Sequence, residues 1–121
     1  MIIAVDFDGT LVGSAWPAIG EPVPTAIETM QTWRDEGHKL IVWTCRAGRE
    51  LDACKEWLIA KGVPFDAINE NLPERIALYG GSDTRKVSAD VYVDDRAVGV
   101  PSNPVEFWTL ARERISRGDI L

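Results

Sequence analysis

The sequence predicts an α/β fold: a three-layer, Rossmann-like, mostly parallel sheet with helices on both faces and no cap domain. Three observations lead there. Short runs rich in Ile and Val alternate with longer stretches whose apolar residues recur at helical spacing, the order that βαβ units produce. The short runs are apolar at consecutive positions, as in strands covered on both faces. Finally, 121 residues, 45% of them hydrophobic, suit one domain spanning residues 1–121.

Taken in order, Met1 to Phe7 (MIIAVDF) reads as the first strand, and the residues from Gly9 to Pro24 as a Gly- and Pro-bearing loop. Thr25 with Glu28 forms a capping box, after which Ala26, Met30 and Trp33 share a helical face until Gly37 stops the helix. His38 to Thr44 (HKLIVWT) is the second strand. Arg49 to Lys61 is the second helix, with Leu51, Cys54 and Leu58 on one face and Gly62 and Pro64 ending it. Phe65 to Ile68 reads as a short third strand, Pro73 to Tyr79 as a short helix opened by proline, and Asp90 to Val93 (DVYV) as the fourth strand. A last helix follows Asn103, with Pro104 first and Glu106 completing a second capping-box-like start. Trp33, Trp43, Trp57 and Trp108 fall at core positions; Trp16, beside Pro17 in the first loop, does not, and either packs locally or covers a site. Asn69 and Asn71 read as turn residues.

Composition removes several classes of function. No apolar stretch spans a bilayer and none resembles a secretory leader, so a soluble, cytoplasmic protein without a membrane partner is expected. Cys45 and Cys54 lack metal-binding or redox spacing and are expected as free thiols. A net charge of -6 disfavours nucleic acid as a partner, while leaving a local basic groove open.

In a parallel sheet the carboxyl ends of the strands share one edge, where ligands bind. Asp6 and Asp8 end the first strand here, Thr44 the second, Asn69 and Glu70 follow the third, and Asp94 and Asp95 end the fourth. Two carboxylates one residue apart repel each other unless a cation lies between them. An all-oxygen donor set from Asp6, Asp8, Asp94 and Asp95 suits Mg²⁺; His38, the one histidine, stands at the wrong end of its strand for zinc. With no serine, cysteine or histidine triad supported, a carboxylate is the candidate nucleophile, and Asp6 is the natural choice. Lys86 supplies charge for a phosphoryl group, Thr44 and the loop N–H groups around Gly9, Thr10 and Cys45 supply donors, and Asp8 supplies a proton. Arg46 either contacts substrate or pairs with a carboxylate of the edge. Trp16 is the candidate contact for a leaving group.

DFDGT at Asp6 to Thr10, Thr44 in VWTCR, Lys86, and VDDR with Asp94 and Asp95 resemble, in order, the four motifs of the haloacid dehalogenase (HAD) superfamily, over roughly the first hundred residues. The stretches are most similar to those of small capless members of bacterial and phage type. The resemblance implies that Asp6 is the nucleophile, Asp8 the general acid and base, Thr44 a phosphate ligand, Lys86 the charge anchor and Asp94 a magnesium ligand. Asp95 becomes a second metal or outer-shell carboxylate, and Arg85 and Arg75 are alternative cations to Lys86. An acid at position 8 implies a phosphatase or phosphotransferase, because dehalogenase members lack it and P-type pumps carry threonine there. Neither gap between motifs holds a folded cap. The resemblance thus implies a Mg²⁺-dependent phosphatase acting on a phosphomonoester through an aspartyl-phosphate, its open site fitted to a large substrate or closed by a second copy of the chain. Two rival readings are a polynucleotide end phosphatase and a non-enzymatic phospho-acceptor of receiver type. The spaced acids of DFD at strand one disfavour the receiver.

Overall fold

The structure, a computed structural model, describes residues 1–118. Its elements are β1 (Ile2–Val5), α1 (Ala26–Asp35), β2 (Lys39–Val42), α2 (Gly48–Ala60), β3 (Ala67–Ile68), α3 (Pro73–Leu78), β4 (Val91–Val93) and α4 (Pro104–Arg117). All strand pairs are parallel, in the order β3-β2-β1-β4. The most buried strand is the central one: all four residues of β1 (IIAV) are inaccessible, as a strand walled by neighbours and covered above and below requires. Because β2 and β3 extend to one side of β1 and β4 lies on the other, the chain reverses direction across the sheet between β1 and β4. Parallel sheets open a crevice at the carboxyl ends beside such a reversal.

Side-chain alternation along β1 divides the core in two. Ile3 and Val5 face a large cluster built from Met30 and Trp33 of α1, Cys54 and Leu58 of α2, and Phe107, Trp108 and Ile115 of α4. Ile2 and Ala4 face a smaller cluster with Ile41, Ala67, Leu72 and Val87. Helices therefore lie on both faces, unevenly. Three helices cover the first face, whereas the six-residue α3 buries none of its own side chains and leaves much of the second face to Leu72 and to Val87 in the segment leading to β4. Among the described residues no domain-sized insertion interrupts the order, and no cap-like extra domain is present. Among the described residues no helix is long and apolar enough to cross a membrane.

Several elements are shorter than their sequence patterns, with local causes. β1 stops at Val5, because the Phe7 carbonyl accepts the N–H groups of Thr10, Leu11 and Val12 in a tight turn. β2 stops at Val42, and the Thr44 N–H goes to the Asn69 side chain. Asp90 precedes β4 yet stays tied to β1 through its own N–H to the Ile2 carbonyl. The capping box at Thr25 does not form: Thr25 sits at φ 69 with no side-chain cap bond, and its carbonyl accepts the Thr29 hydroxyl at 2.7 Å. At α4 the expected cap is present, the Asn103 side chain accepting from the N–H groups of Val105 and Glu106 at 2.9 and 3.1 Å.

Candidate active site

The reversal in sheet order places the ends of β1 and β4 side by side, with the Asp6 N–H donating to the Val93 carbonyl at 2.9 Å. After Phe7 the chain turns through Gly9 at φ +86, where a Cβ would lie 2.8 Å from Asp95 Oδ2, so positive φ and close approach both demand glycine. The buried Thr10 hydroxyl sits between two carboxylates, 2.9 Å from Asp6 Oδ2 and 3.0 Å from Asp95 Oδ1, and accepts the Asp95 N–H at 3.0 Å. Its single proton serves one carboxylate at a time. From behind, the Trp108 indole N–H donates to the Thr10 carbonyl at 2.9 Å, so α4 holds the turn in place. Gly9 and Thr10 thus shape the site, and the Thr10 hydroxyl is committed to carboxylates rather than offered to a ligand.

Asp6, Asp94 and Asp95 each bring one carboxylate oxygen within 4.8 Å of the others. Burial, reinforced by the charge of Asp94, raises the Asp6 carboxyl from 3.8 to about 7, against the opposing hydrogen bond from Thr10. Three clustered carboxylates with no nitrogen or sulfur among the donors fit a hard divalent cation such as Mg²⁺, whose charge would relieve their repulsion.

Asp8, expected among the metal ligands, is not part of this cluster. Its Oδ2 and Oδ1 accept from Nε and Nη2 of Arg46, each at 2.8 Å, in a bidentate pair. Arg46 also donates from Nη1 to the Pro17 carbonyl at 3.2 Å and from Nη2 to the Ala18 carbonyl at 2.8 Å, while its guanidinium lies 5.4 Å from the Phe7 ring centroid and 5.0 Å from that of Trp16. With its side chain 1% exposed, Arg46 is not presented to a substrate. Of the two roles open to it in the sequence, the carboxylate pair is the one formed, because a buried guanidinium needs a counter-charge and acceptors.

The Gly- and Pro-bearing loop is a small hairpin. Val12 pairs antiparallel with Pro22, and backbone bonds run from Gly13 N–H to the Glu21 carbonyl (2.9 Å) and from Val23 N–H to the Leu11 carbonyl (2.8 Å). Trp16 near its tip is 60% exposed. Thr44 is half-buried; its oxygen accepts the Arg46 N–H at 3.1 Å, which leaves its proton for another acceptor. Cys45 beside it is exposed. Buried Cys54, by contrast, has its thiol pushed up to about 11 by desolvation.

Lys86 lines a cleft of about 250 Å³ together with Asp6, Trp43, Tyr92, Asp94 and Arg96. Its ammonium lies 5.0 Å from the Tyr92 ring centroid. Arg75 is bonded to Ser88 and Asp90 instead. Two features escaped the sequence reading. Trp43, expected in the core, is half-buried and forms part of the cleft wall. Asn71, read as a turn residue, is buried: its amide donates to Asp83 Oδ1 at 2.8 Å and its Oδ1 accepts the Ser88 N–H at 2.6 Å, bracketing the segment that carries Lys86. No local signal separates such an asparagine from one in an open turn, since its partners lie up to 17 residues away.

No protein-family model matches the chain. It is 42% identical to a conserved protein coded by a locus of Bacteroides thetaiotaomicron, whose solved structure superposes with a TM-score of 0.82 over 98% of this chain and 91% of that one. It is also 33% identical over 66 residues to a Bacillus cereus protein described as "Putative nucleotidase"; the match takes in 54% of this chain and 31% of the Bacillus protein, so the chain spans less than a third of that relative.

Proposed function

The chain belongs to the family of the conserved Bacteroides thetaiotaomicron protein, and from that fold and this site we propose a cytoplasmic, magnesium-dependent phosphatase of HAD type that hydrolyses a phosphomonoester through an aspartyl-phosphate on Asp6. The observation that carries the reading is the meeting of Asp6, Asp94 and Asp95 at the β1–β4 reversal, beside a cleft that also holds Lys86. The Bacillus relative's description as a nucleotidase supports phosphate-ester hydrolysis more generally.

In this reading Asp6, Asp94 and Asp95 would hold Mg²⁺, which would supply positive charge for a phosphoryl group and offset the repulsion of the three carboxylates. One Asp6 oxygen attacks phosphorus, the ester bond breaks, and the departing oxygen takes a proton from Asp8. Asp8 then accepts a proton from the water that attacks the aspartyl-phosphate, which releases inorganic phosphate and restores Asp6. Both Asp8 oxygens are occupied by Arg46 N–H donors in the structure, so Asp8 leaves that pair to carry the proton in each transfer. Thr44 directs its free hydroxyl proton, and Lys86 its charge, toward the phosphoryl oxygens. Asp95 acts through Thr10, whose hydroxyl it shares with the nucleophile. The hairpin leaves the edge open, so a large substrate or a second copy of the chain completes the enclosure.

The test is a panel of sugar, nucleoside, peptide and 3′-phosphorylated oligonucleotide phosphomonoesters assayed with Mg²⁺ and with chelator. Magnesium-dependent release of phosphate, lost in Asp6→Asn, is expected. Retention of a stable phosphoryl group on the protein without turnover would overturn the phosphatase reading in favour of a phospho-acceptor.

A further inference from the structure

β4 lies at an edge of the sheet: β1 pairs with it on one side, and no strand among the described residues pairs with it on the other. The Asp6 N–H takes the Val93 carbonyl on the β1 side, so backbone alternation turns the N–H and carbonyl of the preceding residue, Tyr92, toward the free edge. Free edges are ordinarily guarded by a lysine, a proline or a bulge; VYV carries none, and its register with β1 is unbroken. Between this edge and α4 runs a groove of about 420 Å³ lined by Val91, Val98, Val100, Leu110 and Ala111. Val98 is fully exposed, so nothing within the chain covers it. The two ends of the groove differ in charge. α4 starts at the carboxyl edge, where Trp108 bonds Thr10, and runs back to the amino edge, where Ser116 shares a cavity with Glu36 at the end of α1. Arg114 therefore lies at the amino end, exposed and without an ion pair among the described residues, beside an Asp90 already neutralised by Arg75. At the other end stands Asp94, in the carboxylate cluster with Asp6 and Asp95.

We propose that this edge is the interface with a second copy of the chain, β4 pairing antiparallel with the partner's β4 about a two-fold axis and the two α4 helices closing the groove between them. Tyr92 then stands opposite the partner's Tyr92, and the two exchange both N–H···O bonds, as in the hydrogen-bonded pair of an antiparallel ladder. The same axis sets the Arg114 end of each groove against the partner's Asp94 end, basic on acidic. A parallel approach would set acid against acid instead. The edge is thus complementary to itself in backbone, in apolar surface and in charge, which is what a two-fold interface requires and an unrelated partner does not. Tyr92 and Asp94 also wall the cleft that holds Asp6 and Lys86, so the pairing braces that wall from outside. It is independent of the phosphatase reading.

The experiment is sedimentation equilibrium of the full chain over about a hundredfold range of concentration, in which the mass should pass from one chain to two. Val98→Lys should raise the dissociation constant by about tenfold or more, and should leave Tm of the dilute, single-chain protein unchanged because Val98 packs on nothing in its own chain. Arg114→Glu should weaken association similarly by setting a carboxylate against Asp94. Cross-linking reads the register. In a Cys45→Ser background, which removes the exposed native thiol, Tyr92→Cys should form a disulfide-linked dimer under mild oxidation, since directly opposed Cα atoms about 5.5 Å apart lie within bridging distance. Val105→Cys, exposed on α4 outside the groove, should not. A single-chain mass at every concentration would assign the groove to another occupant and overturn the proposal. So would a dimer indifferent to both Val98→Lys and Arg114→Glu, or one that cross-links through Val105→Cys and not through Tyr92→Cys.

Discussion

Asp6 and Asp90 stand at opposite ends of the same strand pair, β1 and β4, and their carboxyl groups are pushed in opposite directions. At the amino edge, Asp90 Oδ2 accepts the Ile2 N–H at 2.7 Å and Oδ1 faces Arg75 at 3.2 Å. That backbone bond, with help from Arg75, holds its carboxyl below the ordinary value. Asp66 makes the corresponding bond on β2, accepting the Leu40 N–H at 2.8 Å. At the carboxyl edge, Asp6 is raised to about 7 by burial and by Asp94. Strand polarity accounts for the difference. The amino ends of parallel strands present unpaired N–H groups, which carboxylates neutralise, while the carboxyl ends present carbonyls, so a carboxylate there must find its donors in loops and side chains, as Asp6 does in the one proton that Thr10 shares with Asp95. An aspartate at one edge is mortar; at the other it stands among like charges.

The contrast can be broken most sharply by removing each charge in turn. Asp6→Asn should lower kcat by at least about a thousandfold with the fold intact, since an amide cannot attack phosphorus. Asp90→Asn should leave turnover within about twofold, because Asp90 touches only backbone and Arg75. Comparable losses in both variants would erase the functional distinction between the edges.

The two Asp–Arg pairs should differ next. Arg46 is 1% exposed against Asp8 at 26%, so Arg46→Met, which strands a carboxylate and unties the hairpin, should cost about 2–4 kcal/mol in denaturant unfolding. Arg75→Met removes a pair exposed by 25% and 32%, and should cost about 1 kcal/mol or less. Arg46→Lys should recover only part of the loss, since lysine cannot bond both Asp8 oxygens in one plane.

The smallest effects are in the pH profile of the metal-free protein. With its folded carboxyl near 7 and its unfolded value near 3.8, Asp6 makes the folded state bind more protons between those limits, so stability falls as pH rises through that window. Asp6→Asn should therefore raise Tm at pH 8 and change little at pH 3, a gain on the order of 1–2 kcal/mol after solvent screening. Added Mg²⁺ should stabilise the parent protein at pH 8 and the variant much less. Asp90 has the opposite sign: its contribution is present above the ordinary carboxylate value and is lost as pH falls through its lowered one. Asp90→Asn should flatten the acid limb of the stability curve, by about 1 kcal/mol or less. Thermal melts across pH check both.

The pattern of elements was legible because β1 to β4 are short and, Lys39 apart, apolar at consecutive positions, and the helices carry clear faces; all eight elements lie within a few residues of where periodicity puts them. The gathering of Asp6, Asp94 and Asp95 was legible too, since parallel strands deliver their ends to one edge. Orientation within that edge was not. That Asp8 turns away from Asp6 toward Arg46, that Thr10 points inward, and that Asn71 brackets the Lys86 segment are consequences of burial and of partners distant in sequence. The unformed cap at Thr25 is the local counterpart: a capping box is a probability until the backbone enters with the right dihedrals, and Thr25 arrives at φ 69.

The bond from the Trp108 indole to the Thr10 carbonyl joins residues 98 apart in sequence, near the two ends of the described chain. On a ribosome the DFDGT turn is made 98 residues before its anchor. The surroundings of Asp6 therefore mature late: a nascent chain can carry Asp6, Asp94 and Asp95 and still lack the brace that holds the turn between them until α4 docks. An arrested chain ending before residue 104 should be a weak and poorly selective cation chelator, and the order of synthesis itself defers the site's chemistry until the core has closed.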